Sequence, residues 1–153
     1  MRAAGDLTID GELHEPAWNA SAPMHAFLDR GAEARPVSGV RLLHDAKRLY
    51  LGLYAADQDI HGDERFDVVI GDRALSIDPR GRVTPAAADV VAAVDVDGTL
   101  DDPSDEDEEW VIELAVPLPA SPFALHVSRC DTPKDGIQRC GSWSAPQPLA
   151  LAP

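Results

Sequence analysis

The sequence has few aromatic residues, few cysteines and no long hydrophobic run. Only 5% of its 153 residues are aromatic, and cysteine and methionine occur twice each. Two cysteines cannot build a structural zinc site by themselves. No run of about 18 apolar residues occurs, so no membrane-spanning helix is predicted. These absences exclude a thiolate zinc domain and a protein inserted in the membrane.

Basic residues are also scarce. Thirteen Lys and Arg residues face 27 Asp and Glu residues, for a formal net charge of −14. This balance argues against nucleic acid or an anionic membrane as a partner and permits cations as ligands. The length predicts a single domain over residues 1–153. The opening "MRAAGDLTIDG" lacks the apolar region of a signal peptide, so we expect either a cytosolic protein or a chain that begins after a removed export signal.

The two cysteines flank a turn. Cys130 and Cys140 enclose "DTPKDGIQR", and its "TPKDG" is typical of a turn between two strands. A hairpin would place the two sulfurs opposite each other. The spacing favours a disulfide over two free thiols, with a metal or redox role as a third alternative. A disulfide would indicate an extracellular, periplasmic or cell-envelope protein.

Alternating hydrophobic residues predict many short strands. Leu49, Leu51 and Leu53 in "RLYLGLYA" share one face, and every second residue from Trp110 to Val116 does so in "WVIELAVP". Thirteen prolines and eleven glycines separate such segments. "EPAWNAS" is the best helical segment. The sequence therefore predicts an all-β, antiparallel β-sandwich with a short N-terminal helical turn.

The order of these segments resembles a known family. "TIDGELHEPAWNAS" precedes "VSGVRLLHDAKRLYLGLYAADQDI", "FDVVI", "VDVDGTLDDPSDEDEEWVIELAVPL" and "GSWSAP". This arrangement resembles family 9 carbohydrate-binding modules and the wider group of DOMON-like β-sandwich domains, over residues 8–146. The resemblance implies a non-catalytic module, not an enzyme. It also implies that the opening segment docks on the sandwich with Trp18 turned inward.

The sugar clamp of that family is missing here. The sugar-binding modules hold a terminal sugar ring between two tryptophans, one just before the strand that matches "FDVVI" and one beyond the "SWS" motif. Here "DIHGDERFD" has no tryptophan, and Trp143 matches the motif itself. Ser76 and Asp78 stand where the sugar binders carry longer side chains. The fold therefore carries over from the resemblance, while the clamp does not.

The leading hypothesis is a module that binds a glycan at a concave sheet face or at its rim loops. Its candidate ligand-binding residues are three stacking aromatics and four hydrogen-bonding side chains: Tyr50, Tyr54, Trp143, Glu64, Arg65, Ser76 and Asp78. The alternative is a structural or protein-interaction module that has lost the sugar clamp. The partner is thus expected to be a glycan or a protein.

The sequence also offers candidate ligands for calcium. The stretch "DDPSDEDEE" holds seven acidic residues in nine. Together with the preceding strand it offers oxygen ligands for calcium, although a solvated loop is the favoured interpretation and no metal ligand is assigned. The candidate calcium ligands are Asp95, Asp97, Asp101, Asp105 and Asp107.

A haem-binding DOMON-like redox module, with Met24 and His25 near the iron, is a minor alternative, because so few aromatic and methionine residues make a poor haem pocket. No catalytic residue is predicted, because "SWS" and "DPSDED" lack the strand–elbow–helix context of a serine hydrolase.

Overall fold

The chain folds into two antiparallel sheets packed face to face. The computed structural model describes residues 7–151. The seven-stranded sheet has the strand order β2-β1-β11-β10-β5-β6-β7, and the four-stranded sheet has the order β3-β4-β9-β8. One helix, α1 (Pro16–Asn19), precedes the strands. The strands are β1 (Leu28–Asp29), β2 (Ala32–Glu33), β3 (Ser38–His44), β4 (Arg48–Ala56), β5 (Arg65–Ile70), β6 (Arg73–Ile77), β7 (Val83–Thr84), β8 (Val91–Asp97), β9 (Glu109–Pro117), β10 (Leu125–Asp131) and β11 (Arg139–Ser144). The predicted all-β sandwich with a short helical turn is confirmed.

The core lies between the two sheets and follows the predicted alternation. Leu49, Leu51 and Leu53 on β4 are fully buried, and the residues opposite them on β9 are buried as well. On β5, the alternate residues from Phe66 to Ile70 fill the same core. Because side chains alternate across a strand, each intervening residue points to the outer face of its sheet. Here the outer face means the side turned away from the other sheet.

The N-terminal segment covers the outer face of the four-stranded sheet. Trp18 is 1% exposed and packs with Leu43 and Tyr50. Its Nε1 donates a hydrogen bond of 2.7 Å to Oε1 of Glu113, which is fully buried on β9. The other carboxylate oxygen of Glu113 accepts hydrogen bonds from the backbone N–H groups of residues 10 and 11, at 2.8 and 3.1 Å. The expected inward position of Trp18 is confirmed, and Glu113 bonds to the segment at three points.

One glycine allows this close docking. Gly11 has a φ of +102°, and a Cβ atom there would lie 2.7 Å from the backbone nitrogen of Asp95 and from the carbonyl carbon of Val94 on β8. Any side chain would therefore collide with backbone that has little room to shift, in addition to the strain of the left-handed conformation. The segment can lie flat on the sheet because this position carries no side chain.

The cysteine pair and the acidic loop both make defined contacts. Cys130 and Cys140 oppose each other on β10 and β11 and form a disulfide, which confirms the favoured prediction. In the loop that precedes β9, Asp107 accepts hydrogen bonds from the backbone N–H groups of Ile60 and Thr99, at 2.6 and 2.7 Å. Among residues 7–151, no helix is long and apolar enough to cross a membrane.

Candidate functional site

Four of the seven predicted ligand-binding residues line one open depression. Glu64, Arg65, Ser76 and Asp78 surround a space of about 260 Å³ at the start of β5 and the end of β6. The rest of its lining is polar as well, and it contains no aromatic side chain: Gly62, Asp63, Arg82 and Thr84. The structure therefore brings the predicted hydrogen-bonding residues together, and none of the predicted stacking residues joins them.

A tight turn shapes one wall of the depression. Asp78 directly follows β6, and its Oδ1 accepts hydrogen bonds from the backbone N–H groups of Arg80 and Arg82, at 3.0 and 2.9 Å. The guanidinium of Arg82 reaches back to Oδ2 of the same carboxylate at 2.8 and 2.9 Å. On β5, Arg65 pairs with Asp67 at 3.0 Å. Both arginines of the depression are thus paired with a carboxylate, which leaves it polar with little unbalanced charge.

Glu64 belongs to the lining, but its side chain has no exposed area. It lies in a buried cluster with Asp57, Asp131 and Arg129. One terminal nitrogen of the Arg129 guanidinium lies 2.5 Å from Asp57 Oδ2, 3.0 Å from Asp131 Oδ1 and 3.6 Å from Glu64 Oε2. Three buried carboxylates therefore share one positive charge, and we call this group the carboxylate–arginine cluster.

Burial and neighbouring negative charge raise the pKa of two carboxyl groups of the cluster. Burial, together with a hydrogen bond to Asp57, raises the pKa of Glu64 to about 9. Burial also raises the pKa of Asp131 to about 6, although Arg129 opposes the shift. Among the described residues, Glu64 Oε2 has no hydrogen-bond partner. A proton on Glu64 supplies the missing donor, since the carboxylic acid can then bond to Asp57.

In the part of the chain that the structure describes, two groups of carboxylates have the spacing of metal ligands. In the first, Asp57, Glu64 and Asp131 place oxygen atoms within 4.8 Å of one another, but the guanidinium of Arg129 already lies among them. The second consists of Asp10, Glu15 and Glu113 below the N-terminal segment. Its observed contacts are those that hold the segment on the sheet.

The candidate calcium ligands of the acidic loop are engaged elsewhere. Asp101 accepts a hydrogen bond from the backbone N–H of Gly62 at 2.8 Å and pairs with Arg80. The Gly62 N–H, aided by the positive charge of Arg80, holds the pKa of Asp101 below its usual range. Asp105 bonds to Thr99. Within residues 7–151, no group of three clustered ligand atoms includes an acid of this loop.

The predicted stacking aromatics lie in three other places. Tyr50 is only 9% exposed below the N-terminal segment, and its hydroxyl donates to Asp45 at 2.7 Å. Tyr54 lines a separate cleft of about 250 Å³ on the outer face of the four-stranded sheet, and burial raises its pKa to about 12. Trp143 is partly buried and packs against the main core. None of the three faces the depression.

Sequence reasoning missed two polar residues that lie in register beside the depression, on the same face of the sheet. Asp67 lies opposite Ser76 on the neighbouring strand, and Ser128 lies opposite Asp67 on the other side. Asp67 lies between the buried residues Phe66 and Val68. Ser128 lies between the buried residues Val127 and Arg129. This alternation is visible in "RFDVVI" and "LHVSRC", and it would have placed both side chains on the outer face.

The comparison with solved structures identifies the fold. No protein-family model matches the sequence, and no curated protein matches it. The structure is similar to a family 9 carbohydrate-binding module from Caldicellulosiruptor kristjanssonii, solved with glucose and also with cellotriose; each match has 14% identity, a TM-score of 0.66 and coverage of 93% of this chain and 83% of that one. It is also similar to a Bacteroides uniformis protein to which carbohydrate binding has been ascribed, with 13% identity, a TM-score of 0.57 and coverage of 99% and 92%. The chain therefore has the fold of family 9 carbohydrate-binding modules.

Proposed function

We propose that this chain is a non-catalytic carbohydrate-binding module that holds a glycan on the outer face of its seven-stranded sheet. One observation carries the proposal. Arg65, Ser76 and Asp78, chosen from the sequence as hydrogen-bonding partners for a sugar, line a single open depression in a fold whose solved relatives include a module bound to glucose and cellotriose.

The chemistry of the depression suits a neutral polyol. Sugar hydroxyls both donate and accept hydrogen bonds, and the lining offers hydroxyls from Ser76 and Thr84 beside carboxylates and guanidinium groups. The arginines keep donors available at fixed positions because carboxylates orient them. The disulfide fits a module that works in an oxidising compartment outside the cytosol.

The rival function is a structural or protein-interaction module. The absence of any aromatic side chain in the depression favours it, since a sugar ring has no stacking surface there. Hydrogen bonds to exposed hydroxyls give little net free energy, because water competes for the same groups. We therefore expect weak glycan binding, in the range of about 0.1–1 mM, which corresponds to about −5.5 to −4 kcal/mol.

Isothermal titration calorimetry with glucose, cellotriose and other neutral linear oligosaccharides tests the proposal. Arg65→Ala should weaken binding about tenfold, since it removes a charged hydrogen-bond donor worth about 1.5 kcal/mol or more. Arg30→Ala is the matched control, because Arg30 lies outside the depression with a side chain 96% exposed. Equal effects of the two substitutions, or no heat with any oligosaccharide at millimolar concentration, would favour the rival function.

A further inference from the structure

A row of short polar side chains, paired in register from strand to strand, crosses the outer face of the seven-stranded sheet. The strand register places Thr84, Ser76, Asp67, Ser128 and Ser142 opposite one another on β7, β6, β5, β10 and β11. Each neighbours a residue that points into the core, so the five side chains share the outer face. We call these five residues the polar row.

Among the described residues, the hydroxyl groups of the polar row have no hydrogen-bond partner. Within residues 7–151, the side chains of Thr84, Ser76, Ser128 and Ser142 make no hydrogen bond, and Asp67 bonds only to Arg65 at 3.0 Å. Ser144, on the same face of β11, differs, because its hydroxyl lies 2.6 Å from Nδ1 of His126. The row is therefore a continuous set of free hydroxyls around one paired carboxylate.

The dimensions of the row match an extended polymer. Neighbouring strands lie about 4.8 Å apart, so four steps from β7 to β11 span about 19 Å. One step is close to the length that one pyranose unit occupies in an extended chain. Both ends are open: Thr84 is exposed at one, and Leu28, which pairs with Ser142, is 48% exposed at the other. At its β7 end the row runs into the depression, whose lining includes Thr84 and Ser76.

We infer that the polar row binds an internal stretch of a linear, neutral glycan, with about one sugar unit per strand. This inference rests on the proposed function and specifies how the glycan lies. An internal stretch fits better than a chain end, because the row is open at both ends and no aromatic pair encloses a terminal ring. A neutral chain fits because the carboxylate of Asp67 is already paired with Arg65. Because the free hydroxyls are regularly spaced, each sugar unit can add a similar small contribution to the binding free energy.

A ladder of cello-, xylo- and manno-oligosaccharides, from the monosaccharide to the hexasaccharide, tests the inference by calorimetry. Affinity should rise with each unit up to about five, one per strand of the row. Chemical reduction of the chain end should change the affinity of the hexasaccharide less than twofold. Ser128→Ala, at the centre of the row, should weaken hexasaccharide binding about threefold to tenfold and monosaccharide binding much less.

Two further variants keep the result interpretable. Ser104→Ala makes the same chemical change in the exposed acidic loop and should leave affinity unchanged. Ser128→Tyr fills the middle of the row and should abolish the length dependence, with circular dichroism and a thermal melt confirming that it folds. Equal affinity for short and long chains, loss of binding on end reduction, or indifference to both Ser128 variants would overturn the inference while glycan binding itself stands. No binding to any oligosaccharide would overturn the proposed function and the inference together.

Discussion

The carboxylate–arginine cluster predicts an unusual dependence of stability on pH. Glu64, Asp57 and Asp131 are buried around Arg129, so two negative charges lack a partner if all three carboxyls ionise. Glu64→Gln replaces the protonated acid with a neutral amide that can still donate to Asp57. The substitution therefore preserves the low-pH form of the cluster and removes the charge that the folded chain disfavours.

The pKa of Glu64 determines the direction and the size of the change in stability with pH. The folded chain raises this pKa from 4.5 to about 9, so between these values the folded state holds a proton that the unfolded state has released. Stability therefore falls as the pH rises through this window and levels off above it. At about 1.4 kcal/mol per pH unit the loss has an upper limit of about 6 kcal/mol, which water entry and side-chain movement reduce. Asp131, with its pKa raised to about 6, adds a smaller loss at the acidic end.

Urea denaturation at several pH values between 5 and 9 measures this loss. Wild type should lose several kcal/mol across the range, and Glu64→Gln should lose much less, so that the variant becomes the more stable protein at alkaline pH. Glu106→Gln, in the exposed acidic loop, is the matched control and should follow wild type. Parallel pH profiles for wild type and Glu64→Gln would show that Glu64 ionises normally, and the account of the cluster would be wrong.

Three further changes test the packing of the fold. Trp18→Ala should reduce the free energy of unfolding by about 3–5 kcal/mol, as a large-to-small core change, and a melting temperature within a degree or two of wild type would refute the docked segment. Gly11→Ala should cost at least about 2 kcal/mol more than Gly31→Ala in denaturant melts, because both glycines have positive φ but only Gly11 contacts backbone. Reducing the Cys130–Cys140 disulfide should cost about 2.5–3 kcal/mol by the chain-entropy relation, and intact mass after alkylation shows whether the bond was present.

Alternation within single strands made most of the fold predictable. The leucines of "RLYLGLYA" occur at every second position, and a half-buried strand is the structure that satisfies this period. The same reasoning gave the faces of β9, where Trp110 and Ile112 enter the core and Glu113 does not. The turn "TPKDG" between Cys130 and Cys140 predicted a hairpin and favoured the disulfide over two free thiols, and the disulfide is present. These features depend on residues close together in the chain.

The candidate site was less predictable, because it depends on which strands become neighbours. Asp67 and Ser128 are 61 positions apart and meet only because β5 pairs with β10. Neither segment contains a sequence signal that identifies the other as its pairing partner. The two tyrosines were wrongly assigned to the same site. Tyr50 and Tyr54 point away from the core as predicted, but they lie on the four-stranded sheet and not on the sheet that carries the depression. The N-terminal segment also covers Tyr50. The alternation within a strand thus predicted that both tyrosines point away from the core. It did not predict which sheet carries them or whether another segment covers them.

The core is what holds the polar row in line. Asp67 lies between Phe66 and Val68, and Ser128 lies between Val127 and Arg129, so a slip of one residue would turn buried side chains outward and break the row. Burial of these neighbours therefore fixes the register of β5 against β10. The disulfide does the same for β10 against β11, because Cys130 and Cys140 are paired two residues from Ser128 and Ser142. A site made of small hydroxyls has no anchoring aromatic of its own, and its geometry depends on this core and on this covalent bond.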